Sequence, residues 1–454
     1  MSKGFFTIIL TVIGVISGLN SHAQTLNLNG SWEGKLMINP EMGIRLVINI
    51  KDSEGEDAVI TMDSPDQGAY GIPMQIDFIS PDSLNVAVFQ LMLRYKGKLE
   101  GDSIAGEFSQ GPLNLPLTLR PKVTTLNRPQ TPEGPFPYLT EDIIFQSGLD
   151  NANIHGTLTL PNENIGDTKA VILVSGSGTQ NRDEEIFEHK PFAVLADYLA
   201  RNGIASLRYD DRGFDKSTGL SPNPTTYENA MDAIGGINFL KEKGFKKVGI
   251  IGHSEGGLIA DQIDNRGNFL DFIIEMGGPS VSGDSILIFQ NEFLLRDGGM
   301  PQEVVSMYID AMRGMFESQK EKNPIPFDET KYEIFSSQNL SNPVIAPLAK
   351  NLRDNFLNLA PWIKYFINYD PIDDIRNIQI PALFIYGEND TQVPPSINLP
   401  PLENLKNITI KVYPRLNHLM QHSKTGKVTE YAQIEETISQ EVLVDITNFI
   451  LSID

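Results

Sequence analysis

A serine at position 254 sits in Gly252-His253-Ser254-Glu255-Gly256, directly after the apolar run Val248-Gly249-Ile250-Ile251. A strand that runs into small residues and then into the helix-compatible Gly257-Leu258-Ile259-Ala260 is the setting that forces a serine onto a tight elbow with its hydroxyl exposed above a sheet. Glycines two before and two after the serine fit this reading, because strand and helix backbones approach too closely there for Cβ atoms. A serine hydroxyl attacks only when a base takes its proton, and the base needs an acid to orient it. After such an elbow the acid and then the histidine follow in chain order. Asp390 closes Gly387-Glu388-Asn389-Asp390, just beyond the apolar run Ala382 to Tyr386. The only histidines further on are His418 and His422. His418 ends a loop after the run Ile408 to Tyr413, so the expected triad is Ser254, Asp390 and His418, with His422 and Glu388 as the lesser alternatives. The oxyanion of an acyl-transfer intermediate needs two backbone N–H donors. They are expected from Glu255, just past the nucleophile, and from Ser177 in Ser175-Gly176-Ser177-Gly178-Thr179, with Gly178 as the alternative.

Competing chemistries fail on single residues. A dinucleotide fingerprint through Gly176-Ser177-Gly178 needs glycine at 181, where Asn181 stands. A phosphate-binding loop ending at Lys216-Ser217 needs glycine at 215, where Asp215 stands. His418 and His422 have metal-compatible spacing, but Leu419 occupies the place of the glutamate that a zinc-protease helix uses. No cofactor and no metal are therefore expected.

The elements that must position these groups follow from hydrophobic patterning. From about 138, buried runs (170–174, 204–209, 248–251, 272–276 and 382–386) alternate with amphipathic stretches such as Phe192, Leu195, Leu199 and Ala200. That alternation predicts an α/β fold, a mostly parallel sheet with helices on both faces. The rhythm stops between about 279 and 367, where Val304, Tyr308, Met312 and Met315 mark one helical stripe. A helical cap over the strand C-termini is expected there, its Met and aromatic faces suited either to ordinary packing between cap helices or to an adaptable pocket wall that favours short acyl groups. Residues 24–120 show short alternating runs broken by turn residues, which predicts a small antiparallel β domain. A proline-rich stretch, 121–137, reads as a semi-stiff linker to the domain at 138–454.

Lys3, the uncharged apolar stretch Phe5 to Leu19 and Ser21-His22-Ala23 read as a signal peptide, 1–23, with export and no stable membrane insertion after cleavage. The chain has no cysteine, so no disulfide framework or lipid-bearing cysteine is available. A net charge of −22 repels phosphate backbones, so nucleic acid is not an expected partner. A small-molecule substrate is, and the pattern leaves the oligomeric state open.

In these stretches the chain resembles the α/β-hydrolase superfamily, near the secreted bacterial esterases of its serine-aminopeptidase and prolyl-oligopeptidase-like branches. The carriers are Leu173 to Gly178 with Asn181-Arg182-Asp183, Leu207 to Gly213, Gly252 to Gly257, Tyr386 to Asp390 and Leu416-Asn417-His418. The resemblance implies Ser254 as nucleophile, Asp390 as acid and His418 as base, and a mainly structural loop from Arg208 to Gly213. Two departures stand out: Ser175-Gly176 where relatives commonly carry His-Gly, and Asp215 where they commonly carry glycine. The implied activity is ester hydrolysis through an acyl-enzyme. An aminopeptidase or dipeptidyl-peptidase shares every motif, and a binding protein on the same scaffold is a further alternative. Glu255, Asp183 and Glu184 are the carboxylates that could hold a peptide's free amine.

Overall fold

A computed structural model describes residues 28–454 apart from positions 40–41, 52–57, 65–68, 112, 123–125, 163–164, 220–223, 268, 323 and 358. The expected signal segment lies outside the described residues. The chain divides into two compact units between residues 125 and 126.

The first unit is a single nine-stranded sheet: β1 (Gly30–Asn39), β2 (Met42–Lys51), β3 (Val59–Ser64), β4 (Ala69–Pro73), β5 (Gln75–Ser80), β6 (Ser83–Val88), β7 (Leu93–Glu100), β8 (Ser103–Gln110) and β9 (Leu113–Pro121). Its order is β4-β3-β2-β1-β9-β8-β7-β6-β5, with every pairing antiparallel. The first and last strands meet in the middle, and the two edges, β4 and β5, are consecutive in the chain. Trp32, Ile48, Val86, Tyr95 and Phe108 share one apolar core, the inward half of the alternating pattern.

The second unit contains β10 (Leu139–Gln146), β11 (Asn153–Leu160), β12 (Ala170–Val174), β13 (Ala205–Tyr209), β14 (Val248–His253), β15 (Phe272–Met276), β16 (Ala382–Gly387) and β17 (Ile408–Tyr413). The order is β10-β11-β13-β12-β14-β15-β16-β17; the pairings from β13 to β17 are parallel, while β10 and β11 add an antiparallel edge. Alternate strand residues enter two different cores. Ile172, Ile250 and Ile273 pack with α2 (Thr226–Lys243) and α3 (Glu255–Arg266), whereas Val171, Ile251 and Ile274 pack with α1 (Pro191–Arg201) and the C-terminal helix Gln440–Leu451. Helices thus cover both faces, which is why these strands read as continuous apolar runs.

Between β15 and β16 the chain is helical: α4 (Gly283–Asp297), α5 (Gln302–Ser318), α6 (Ser337–Leu340), α7 (Ile345–Leu357), α8 (Pro361–Asn368) and α9 (Ile372–Asn377). Val304, Tyr308, Met312 and Met315 are all buried in the shared core. The stripe packs into that core rather than lining an open pocket wall. Residues 126–137 are fastened to this unit. Arg128 donates to the carbonyls of Phe187, Ala432 and Ile434, and Gln130 bonds the main chain at Thr437 and Ile438.

Candidate active site

Ser254 stands between β14 and α3 with φ 54° and ψ −120°, a left-handed conformation that a non-glycine residue adopts only when its surroundings enforce it. The enforcement is visible in the glycines. A Cβ on Gly252 would collide with the Gly256 carbonyl, and one on Gly256 with the Val174 carbonyl. The Ser254 N–H donates to the Met276 carbonyl at 2.9 Å, so the elbow is pinned to the end of β15.

One residue further, Gly277 brings the chain against a histidine and a carboxylate. A Cβ there would lie 3.1 Å from His418 Nδ1 and 3.3 Å from Asp390 Oδ2. Those two atoms are 2.7 Å apart, and both side chains are buried. Asp390 Oδ1 accepts the N–H groups of Gln392 and Val393, each at 2.8 Å. The carboxylate is thereby fixed at one oxygen by backbone and faces Nδ1 with the other. This leaves Nε2 of His418 as the nitrogen free to act as a base. His422 lies elsewhere. Its ring is half exposed and pairs with Glu436 at 2.9 Å rather than with Asp390. Glu388 is exposed.

Glu255 opens α3, placing its N–H at a helix N-terminus beside the nucleophile. Its side chain turns inward: Thr226 Oγ donates to it at 2.6 Å and Trp362 Nε1 of α8 at 2.8 and 2.9 Å. Burial raises the Glu255 pKa, opposed by these donors and by the Ser177 hydroxyl. The side chains of the two residues expected to supply the oxyanion amides are thus joined, through the Ser177 hydroxyl and the Glu255 carboxylate. The Gly176 N–H is already committed to Glu184 at 2.8 Å. Tyr365, next along α8, donates to Gln262 of α3 at 3.1 Å.

The loop from Arg208 to Gly213 acts as scaffold. Arg182 makes a forked ion pair with Asp210, Arg208 pairs with Asp183, and Arg212 forks onto buried Asp232 at 2.7 and 2.6 Å. Asp211 accepts from Ser175 and from the Gln180 N–H, tying this loop to 175–180. All three carboxylates considered for a substrate amine are engaged within the protein: Asp183 by Arg208, Glu184 by Gly176 and His253, and Glu255 by Thr226 and Trp362. Trp362 and the roles of Glu184 and His253 escape a sequence reading. His253 lies inside the motif, but its partners are distant in the chain.

The model of a family described as the alpha/beta hydrolase family matches residues 171–430. Esterase EstD of Thermotoga maritima is 28% identical over 301 residues, 64% of this chain and 64% of that protein. The chain thus spans less than two thirds of that relative. A solved esterase of Pyrococcus furiosus aligns with 72% of this chain and 97% of its own at 17% identity and a TM-score of 0.43. A proline iminopeptidase of Mycobacterium smegmatis aligns with 68% of this chain and 98% of its own at 15% identity and a TM-score of 0.42.

Proposed function

Because this chain belongs to the alpha/beta hydrolase family, we propose that it is an exported serine hydrolase that cleaves small carboxylic esters through an acyl-enzyme. The observation that carries the reading is the buried Asp390–His418 pair, 2.7 Å apart, against the turn that pins the Ser254 elbow. In this mechanism His418 Nε2 takes the Ser254 proton as the hydroxyl attacks the ester carbonyl. The amides of Glu255 and Ser177 receive the oxyanion, and His418 returns the proton to the departing alcohol. Water activated by the same nitrogen then releases the acid.

The relation to Esterase EstD supports esters as the substrate class. The ion pairs of Asp183 with Arg208 and of Glu184 with His253, and the burial of Glu255 against Thr226 and Trp362, disfavour the aminopeptidase reading, because a substrate ammonium needs an accessible carboxylate whose charge is not already met. Export rests on residues 1–23 alone. A short acyl group is proposed from α8, whose Trp362 reaches the residue after the nucleophile. A panel of aryl esters against aminoacyl anilides tests the assignment. Turnover confined to the esters is expected, and anilide turnover exceeding it would replace the esterase reading with a peptidase.

A further inference from the structure

Glu184 is buried, and its backbone holds φ 51°, a left-handed conformation that is strained for a residue bearing a side chain. What the strain places is a second carboxylate–histidine pair beside the first. Glu184 Oε1 accepts the Gly176 N–H at 2.8 Å and lies 2.8 Å from Nδ1 of His253. The other ring nitrogen, Nε2, lies 2.9 Å from the main-chain carbonyl of His418. A carbonyl oxygen only accepts, so Nε2 carries a proton and donates. The rings of His253 and His418 sit 4.8 Å apart.

We propose that Glu184 and His253 are a positioning pair: Glu184 sets the oxyanion loop through Gly176, and His253 grips the main chain of the catalytic His418. The proposal rests on the serine-hydrolase reading above. One strained residue then fixes both the loop that receives negative charge and the histidine that moves the proton, relative to the strand carrying Ser254. Burial works against a charge on His253, but the Glu184 carboxylate, its hydrogen bond and the His418 carbonyl outweigh it and raise the pKa, with Asp390 adding to the effect. Asp211 is the further acidic group nearby: burial pushes its carboxyl well above the usual carboxylate range, and the charges of Asp232 and Glu184 add to that.

Two amide side chains separate the halves of this device. Asparagine at 253 keeps a donor near the Nδ1 position, toward Glu184, but loses the bond to His418. Glutamine keeps a donor near the Nε2 position, toward the His418 carbonyl. His253→Asn should lower kcat on an aryl ester about 10- to 100-fold with KM changed less than threefold, the scale of a catalytic group displaced by a fraction of an ångström to an ångström. His253→Gln should recover most of that loss, and Glu184→Gln should fall between them. The low-field NMR resonance of the His418–Asp390 proton should shift or broaden in His253→Asn and stay near its wild-type place in His253→Gln. A His253→Asn enzyme within threefold of wild type and with an unmoved resonance would overturn the proposal. So would equal losses in the Asn and Gln variants with the resonance unmoved. If His253→Asn does not fold, Glu184→Gln and His253→Gln carry the test by the same two readouts. Wild type labelled at Ser254 by a fluorophosphonate, beside unaffected variants, would sink this proposal alone; unlabelled wild type would sink the underlying reading.

Discussion

Replacing Asp390 with asparagine should disable the enzyme while leaving its fold alone, and the hydrogen bonds say why. Oδ1 accepts two backbone N–H groups, from Gln392 and Val393, and Oδ2 faces His418 Nδ1 at 2.7 Å. In Asp390→Asn the two amides select the carbonyl oxygen for the Oδ1 position, since an NH2 there would confront two donors. The side-chain nitrogen is then turned toward His418 and can only donate. Nδ1 must accept, the imidazole proton moves to Nε2, and the nitrogen that should take the Ser254 proton is already occupied. A wrong tautomer of this kind costs on the order of 10⁴ in kcat, equivalent to about 5.5 kcal/mol of barrier. Both backbone bonds survive, so the unfolding midpoint in urea should hardly move. Asp390→Ala removes the acceptor as well. It strands the buried Val393 N–H at about 1–3 kcal/mol, so that variant should lose both activity and stability. Steady-state rates on an aryl acetate, paired with urea melts, separate the two effects. An Asp390→Asn enzyme losing less than tenfold in kcat, or losing activity only in step with its fold, would refute the tautomer argument.

Further outcomes follow from the same geometry. Gly252→Ala drives a Cβ into the Gly256 carbonyl, where no rotamer offers escape, so a stability loss at or above the top of the usual 1–3 kcal/mol for overpacking is expected by urea melt. Trp362→Ala removes the α8 side chain that bonds the Glu255 carboxylate, next to the nucleophile in the chain. Rates across acetyl, butyryl, octanoyl and palmitoyl esters should then spread toward longer chains, and an unchanged profile would remove α8 from the acyl site. His189 is buried, accepting from Thr437 and donating to the Tyr431 carbonyl, and burial lowers its pKa to about 4. Its unfolded counterpart protonates below about 6.5. Stability should therefore be intact above that pH and fall toward pH 4 by up to about 3 kcal/mol. His189→Gln should flatten the dependence of the melting temperature on pH in that interval.

The elbow was legible because backbone crowding writes itself into composition: the collisions awaiting any Cβ at 252 and 256 leave only glycine. Asp390 and His418 were legible because each follows an apolar strand at the edge where loops collect chemistry. The β10–β11 hairpin was not, since β10 is an edge strand whose residues, Phe145 aside, keep some exposure and never form an apolar run. Glu184, His253 and Trp362 were hidden for another reason. Their bonds join residues 69, 165 and 107 positions apart, and local pattern carries no trace of such closures. The Met-bearing stripe of α5 had a pocket-wall reading open to it, yet every residue of it packs inward. Periodicity reveals that a face is apolar without saying what covers it.

The proposed mechanism stands or falls on Ser254 as the nucleophile. Treat wild type and Ser254→Ala with a fluorophosphonate, locate the adduct by peptide mass spectrometry, and measure ester turnover on both. One adduct is expected, on Ser254, together with a variant that folds normally, takes no label and retains only a residual rate several orders of magnitude down. An adduct on another serine, or a Ser254→Ala enzyme turning over ester within tenfold of wild type, would contradict it.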